Sequence, residues 1–212
     1  MLDKELTTIP LLLFAKAPIA GKVKTRLQSD CSAEEASEVA KVLLEESIIK
    51  ATQSWPGRVY LSVALDIEHD FLQLMLKRYA IELVSQSPGD LGEKMHCAFD
   101  SFGYPAAIMG CDAPHISSDC LSRAYESLSK GDPVLGPSDD GGYYFIGLVE
   151  PQKALFVNID WGTSSVLSST LEIAKQNNVK FELLEPLNDV DEWEDLVNAS
   201  KHLPSLRVFV RG

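Results

Sequence analysis

The chain has 212 residues, 45% hydrophobic and 24% charged, with a formal net charge of -12. That is enough apolar material for one domain over residues 1–212, and the acidic balance argues against a nucleic-acid face or an anionic membrane surface. The four cysteines (Cys31, Cys97, Cys111, Cys120) form no C-x-x-C pair, which points away from a zinc or disulfide framework and toward a reduced, cytoplasmic setting.

The opening stretch "MLDKELTTIPLLLFA" carries acids where a leader peptide needs cations, and no run approaches the ~20 apolar residues of a membrane span. Within it "IPLLLFA" (9–15) is apolar throughout and predicts a strand buried on both faces. "SAEE" (32–35) reads as a capping box opening a helix, with Ala36, Val39, Ala40, Leu43, Leu44 and Ile48 at helical spacing. A strand over 58–65, a helix over 70–79 and a strand over 81–85 follow.

A helix over 92–102 leads to a second apolar run, "AAIMG" (106–110), that ends in glycine. Ser117 or Ser118 caps the next helix. "PVLG" (133–136) and "YYFIGLV" (143–149) are strands around a Gly-rich turn, and 131–162, the least regular segment, reads as a small lobe rather than a separate domain. A helix from about Thr163, a half-buried strand over 179–183 and a last helix near Trp193 complete the chain. The alternation predicts an α/β fold: a mostly parallel sheet covered by helices.

In open α/β sheets ligands bind beyond the carboxyl ends of the strands, and three unusual loops fall there. "FAKAPIAGKVKTRL" (14–27) gathers Lys16, Lys22, Lys24 and Arg26 around Gly21 in an otherwise acidic chain. Cationic heads and exposed amides suit phosphate oxygens; the alternative is a solvated charged loop. "GCDAPH" (110–115) projects Asp112 from a strand end, where a hard carboxylate suits Mg²⁺ or Mn²⁺ shared with a diphosphate; the alternative is an Asx turn. "GPSDDGGYY" (136–144) places Asp139 and Asp140 where they could orient or deprotonate an acceptor, or merely form a hairpin turn. Asp189 or Asp191 in "NDVDEWEDL" (188–196) could supply a second metal oxygen, against the alternative of helix caps. The histidines show no metal spacing, and no P-loop, G-x-G-x-x-G or G-x-S-x-G motif occurs.

In order, "FAKAPIAGKVKTRL", "SPGDLGEKM", "GCDAPHI", "GPSDDGGYYFIGL", "WGTSSVL" and "DVDEWEDL" resemble the bacterial nucleotide-diphospho-sugar transferase-like proteins. These are also called radical-SAM/selenodomain-associated transferase 1, of glycosyltransferase-A type. A looser similarity extends to phospholactate guanylyltransferases and molybdenum-cofactor nucleotidyltransferases. The resemblance implies a three-layer α/β/α sandwich with a divalent metal on the diphosphate. It places Asp112 and Asp191 as metal ligands and Lys16 through Arg26 as the phosphate loop.

The leading expectation is a Mg²⁺- or Mn²⁺-dependent transferase that takes a nucleotide-diphospho-sugar and an acceptor the sequence does not name. Asp139 or Asp140 would act on the acceptor. The alternatives are a nucleotidyltransferase that moves NMP from NTP to a phosphorylated small molecule, a non-catalytic nucleotide-binding module, and a scaffold whose loops are only turns.

Overall fold

Three successive leucines can all be buried only in a strand covered on both faces. Leu11, Leu12 and Leu13 have no exposure and open β1 (Leu11–Lys16); Leu11 and Leu13 face one core, Leu12 the other. Each contributes roughly 2 kcal/mol by burial. The computed structural model describes residues 8–210. The acidic start at residues 1–7, read above against a leader peptide, lies outside the described residues. No helix among those described is long and apolar enough to cross a membrane.

Six further strands join β1: β2 (Val59–Ala64), β3 (Ile81–Ser85), β4 (Ala106–Gly110), β5 (Val134–Pro137), β6 (Tyr143–Leu148) and β7 (Glu182–Leu183). Their order in the sheet is β3-β2-β1-β4-β6-β5-β7. β6 alone runs against its neighbours, pairing antiparallel with both β4 and β5. The irregular 131–162 segment therefore supplies two strands of the sheet itself.

The helices are α1 (Ala33–Ser54), α2 (Asp70–Arg78), α3 (Leu91–Phe102), α4 (Ser118–Lys130), α5 (Val166–Gln176) and α6 (Trp193–His202). Ile48 of α1, Leu72 of α2 and Leu121 of α4 pack on one face of the sheet. Met95 and Phe99 of α3 and Ala174 of α5 pack on the other. This is the expected three-layer α/β/α sandwich. A third cluster docks α6 on the outer side of α1 through Leu196, Ala199, Val39 and Leu43. The capping box at α1 is present, with Ser32 and Glu35 bonding reciprocally.

The strand expected over 179–183 is shorter and less buried than its alternation suggests. Only Glu182 and Leu183 pair with β5, and both are exposed. Beyond this pair the chain keeps only single bonds to β5, from the Leu184 amide to Leu135 O at 2.9 Å and from the Leu187 amide to Pro137 O at 3.1 Å, and buries Leu184. α5 starts at Val166 rather than Thr163, because the Thr163 hydroxyl bonds Asp160 O and meets Ser165 Oγ in a turn before the helix.

Candidate functional site

β1 is parallel to β4, and β4 and β5 both run against β6. The carboxyl ends of β1, β4 and β5 therefore share one edge. The loop after β1 doubles back there: Ala17, Pro18 and Val23 are buried, while Lys16, Gly21 and Lys22 stay exposed. Gly21 takes a positive φ of 76° with open space around it. Lys24 adopts the left-handed region (φ 46°) ahead of a short 3-10 turn, Thr25–Ser29, anchored by buried Leu27.

That turn points Lys24 inward. Its side chain is only 6% exposed, and its ammonium pairs with Asp112 and, at 3.2 Å, with Asp191. Arg26 reaches the other Asp191 oxygen at 3.6 Å from a largely exposed position. Burial by itself would lower the Lys24 pKa, but the two carboxylates more than reverse it, and the net direction is up. Lys24 is a committed cation, not a solvated one.

Asp112 reaches this point because β4 ends and the chain bends before α4, whose N-cap is Ser117. Its carboxylate bonds Lys24 and makes no Asx turn among the described residues. The Val190 amide donates to Asp112 O at 2.9 Å. This one backbone bond ties the segment before α6 to the end of β4 and sets Asp189 and Asp191 beside Asp112. Neither acid is the N-cap of α6: that residue is Glu192, whose amide donates to Asp195 in the first turn at 2.8 Å. Asp189 Oδ1 is buried with no partner. Burial, then the charges of Asp112 and Asp140, push its carboxyl up to about 7.

These groups line a cavity of about 610 Å³, the size of a small-molecule site. Lys16, Lys22, Lys24 and Arg26 line it together with Asp112, Asp189 and Asp191, to two of which Lys24 is directly paired; Gln86, Leu91 and Lys94 line it as well. The cations and carboxylates that sequence reasoning singled out thus converge, with Gly21 behind them in the loop. Asp139 and Asp140 lie outside the cavity wall. Both are exposed, and Asp140 Oδ1 accepts the Gly142 amide at 2.8 Å, holding the β5–β6 hairpin. His115 packs on His202, Cys111 is buried, and Trp161 packs edge-on against Tyr143.

Sequence reasoning missed Gln86, Leu91 and Lys94. Only "SPGDLGEKM", read as part of a resemblance, pointed near them. The Asp90–Glu93 capping box that starts α3 one residue earlier than expected was a local signal for that wall.

Of the glycine pair in the hairpin, Gly141 alone has positive φ, at 89°. A Cβ there would lie 2.2 Å from Ser164 O, and Gly141 O accepts from Leu167 at 2.8 Å. Gly141→Ala combines a strained φ with a backbone clash and should cost about 2 kcal/mol or more. The urea midpoint measures this; an unchanged midpoint would mean the turn and the start of α5 are not locked together.

The family described as "Uncharacterized protein conserved in bacteria (DUF2064)" matches residues 47–163, more than half of the chain. The chain belongs to this family. A 2-phospho-L-lactate guanylyltransferase of Methanocorpusculum labreanum is 27% identical over 182 residues, covering 84% of this chain and 78% of that protein. A Desulfovibrio desulfuricans G20 protein, provisionally described as a nucleotide-diphospho-sugar transferase, has a crystal structure with a TM-score of 0.79 at 24% identity; it covers 97% of this chain and 100% of that one. Rv0371C of Mycobacterium tuberculosis H37Rv, crystallised as a complex with manganese, shares the fold at a TM-score of 0.53 and 13% identity, over 93% of this chain and 100% of that one. The fold is that of the nucleotide-diphospho-sugar transferases, as the six motifs implied.

Proposed function

We propose that this chain is a nucleotidyltransferase that moves NMP from an NTP to an oxygen of a phosphorylated small molecule. The acceptor oxygen attacks the α-phosphorus, the bond to the β-phosphate breaks, and pyrophosphate leaves. One observation carries the reading: basic side chains of the β1 loop and carboxylates from two distant segments meet in one cavity of substrate size. A polyanion that also brings a cation is the ligand such a mixed lining suits. The guanylyltransferase relative favours nucleotidyl transfer over the sugar transfer that led the expectations.

The donor set fits a divalent metal. Asp189 Oδ1 is an orphaned buried oxygen among three other carboxylates, with Lys24 the buried cation among them. No group of three or more His, Cys, Asp or Glu among the described residues is placed to hold a metal ion by itself. Asp112 and Asp191 would therefore hold the ion together with phosphate oxygens, as Mg²⁺ prefers; Asp189 stands behind them. A bound Mg²⁺ or Mn²⁺ would supply charge neutralisation on the phosphates. Lys16, Lys22 and Arg26 would grip phosphate oxygens, Arg26 in a fork, and Gly21 lets the loop backbone approach. Asp139 and Asp140, outside the cavity wall in the β5–β6 hairpin, would bear on the acceptor only if it extends beyond the cavity.

The test is pyrophosphate release from GTP with Mn²⁺ and 2-phospho-L-lactate as the probe acceptor. Stoichiometric pyrophosphate and a guanylylated product are expected. Turnover of nucleotide-sugars, with no pyrophosphate from any NTP across a panel of phosphorylated acceptors, would return the chain to sugar transfer.

A further inference from the structure

Gln86 follows β3 and forms part of the cavity wall. Its amide is held from one side: Nε2 donates to Ser62 O at 2.9 Å and to Ala15 O at 3.4 Å. Its backbone N–H donates to Val63 O at 2.9 Å, which fixes the base of the side chain. Both partners of the amide are backbone carbonyls, which only accept, so the NH₂ end must face them. The orientation follows from that chemistry and leaves no ambiguity between the two similar atoms.

Oε1 then lies on the far side of the amide carbon. It has no partner among the described residues, and it is not among the buried polar atoms that lack one. It is therefore an accessible acceptor on a residue of the cavity wall. Apolar surface lines the same cavity. Leu91, at the start of α3, lines the same cavity while 45% exposed. Leu65, next to the wall residue Ala64, is 60% exposed and held at a φ of 73°. A bulky residue in that region is strained, and observed strain of this kind points to function.

We propose that Gln86 is a specificity-determining residue that reads the nucleotide base through Oε1 and selects guanine. The proposal rests on the nucleotidyl-transfer reading above and deepens it. An amide oxygen has two acceptor positions. Guanine sets two donors, N1–H and the exocyclic amine, side by side on one edge. Adenine and cytosine place a single amine beside an acceptor nitrogen, and uracil places one N–H between two carbonyls. Guanine alone of the four fills both positions of one oxygen, while Leu91 in the cavity wall offers apolar contact to a flat ring.

Calorimetry on the full chain with Mn²⁺ and GTP, ITP, ATP, CTP or UTP tests this. ITP lacks only the exocyclic amine of guanine. The wild-type protein should bind GTP about ten-fold more tightly than ITP. Gln86→Met keeps the side-chain length but supplies no amide oxygen, and should narrow that gap to within about two-fold. A merely structural role would weaken GTP and ITP alike, so an unchanged ratio in the folded variant overturns the proposal. If Gln86→Met does not fold, N1-methyl-GTP decides on the wild-type protein: weaker binding than GTP supports the reading, and equal binding overturns it. Tighter binding of ATP, CTP or UTP than of GTP overturns the guanine assignment while leaving nucleotidyl transfer in place. Failure to bind any triphosphate overturns both.

Discussion

Asp112→Asn is expected to abolish Mn²⁺-dependent nucleotide binding and to lower turnover at least ~100-fold while the fold persists. Asparagine keeps the size of the side chain and removes its charge. The hard oxygen that Mg²⁺ or Mn²⁺ prefers is then gone, and an incoming triphosphate meets Asp189 and Asp191 with one cation fewer between them. The fold survives because Asp112 is exposed over half its side-chain surface and Lys24 keeps Asp191 as a partner. Solvent screens the lost ion pair, so the cost in stability is about 1 kcal/mol or less. Calorimetry with and without Mn²⁺, beside a thermal melt, separates the two effects. Unchanged affinity and an unchanged metal response would remove Asp112 from the site.

The sheet was legible because its strands obey simple rules. Leu11 to Leu13 announced burial on both faces, and Ser32 with Glu35 announced where α1 begins. β7 was legible as a pattern but not as a pairing. Alternation over 179–183 reports a period of two, and only the edge of the sheet decides how many of those residues find a partner. That the charged loops after β1 and β4 share one edge was legible for the same reason: both follow parallel strands.

Which way each charged group turns was not legible. Asp140 and Asp112 each precede a turn with a Gly or Pro nearby. Asp140 bonds the backbone of its own hairpin, whereas Asp112 ignores its own turn and meets Lys24. The difference comes from the Val190–Asp112 backbone bond and the left-handed backbone at Lys24, neither of which local sequence encodes. Gln86 is harder still. It is uncharged and belongs to no motif, and its orientation exists only because two strand carbonyls face it.

Lys24→Met should have opposite effects on the two components of the bound state. The Lys24 ammonium lies among the carboxylates that would hold the metal, so in the free protein it occupies the place a dication would contest. Removing it leaves Asp112, Asp189 and Asp191 facing one another, with the exposed Arg26 the one ion-pair partner left to them among the described residues, at 3.6 Å from Asp191. In metal-free buffer the variant should lose about 1–3 kcal/mol, less than a fully buried pair would cost because both carboxylate partners are partly solvated. Mn²⁺ alone should then bind about ten-fold more tightly than to the wild type and raise the melting temperature further, since a ligand that prefers the native state stabilises it by mass action. GTP in saturating Mn²⁺ should bind about ten-fold more weakly, because the ammonium released by the metal is no longer there to bond a phosphate oxygen. Parallel losses of Mn²⁺ and GTP affinity would show that Lys24 only braces the two acids. Opposite changes would show one cation yielding its carboxylates to another and turning to the triphosphate, which explains why an acidic chain buries a lysine at the rim of its cavity.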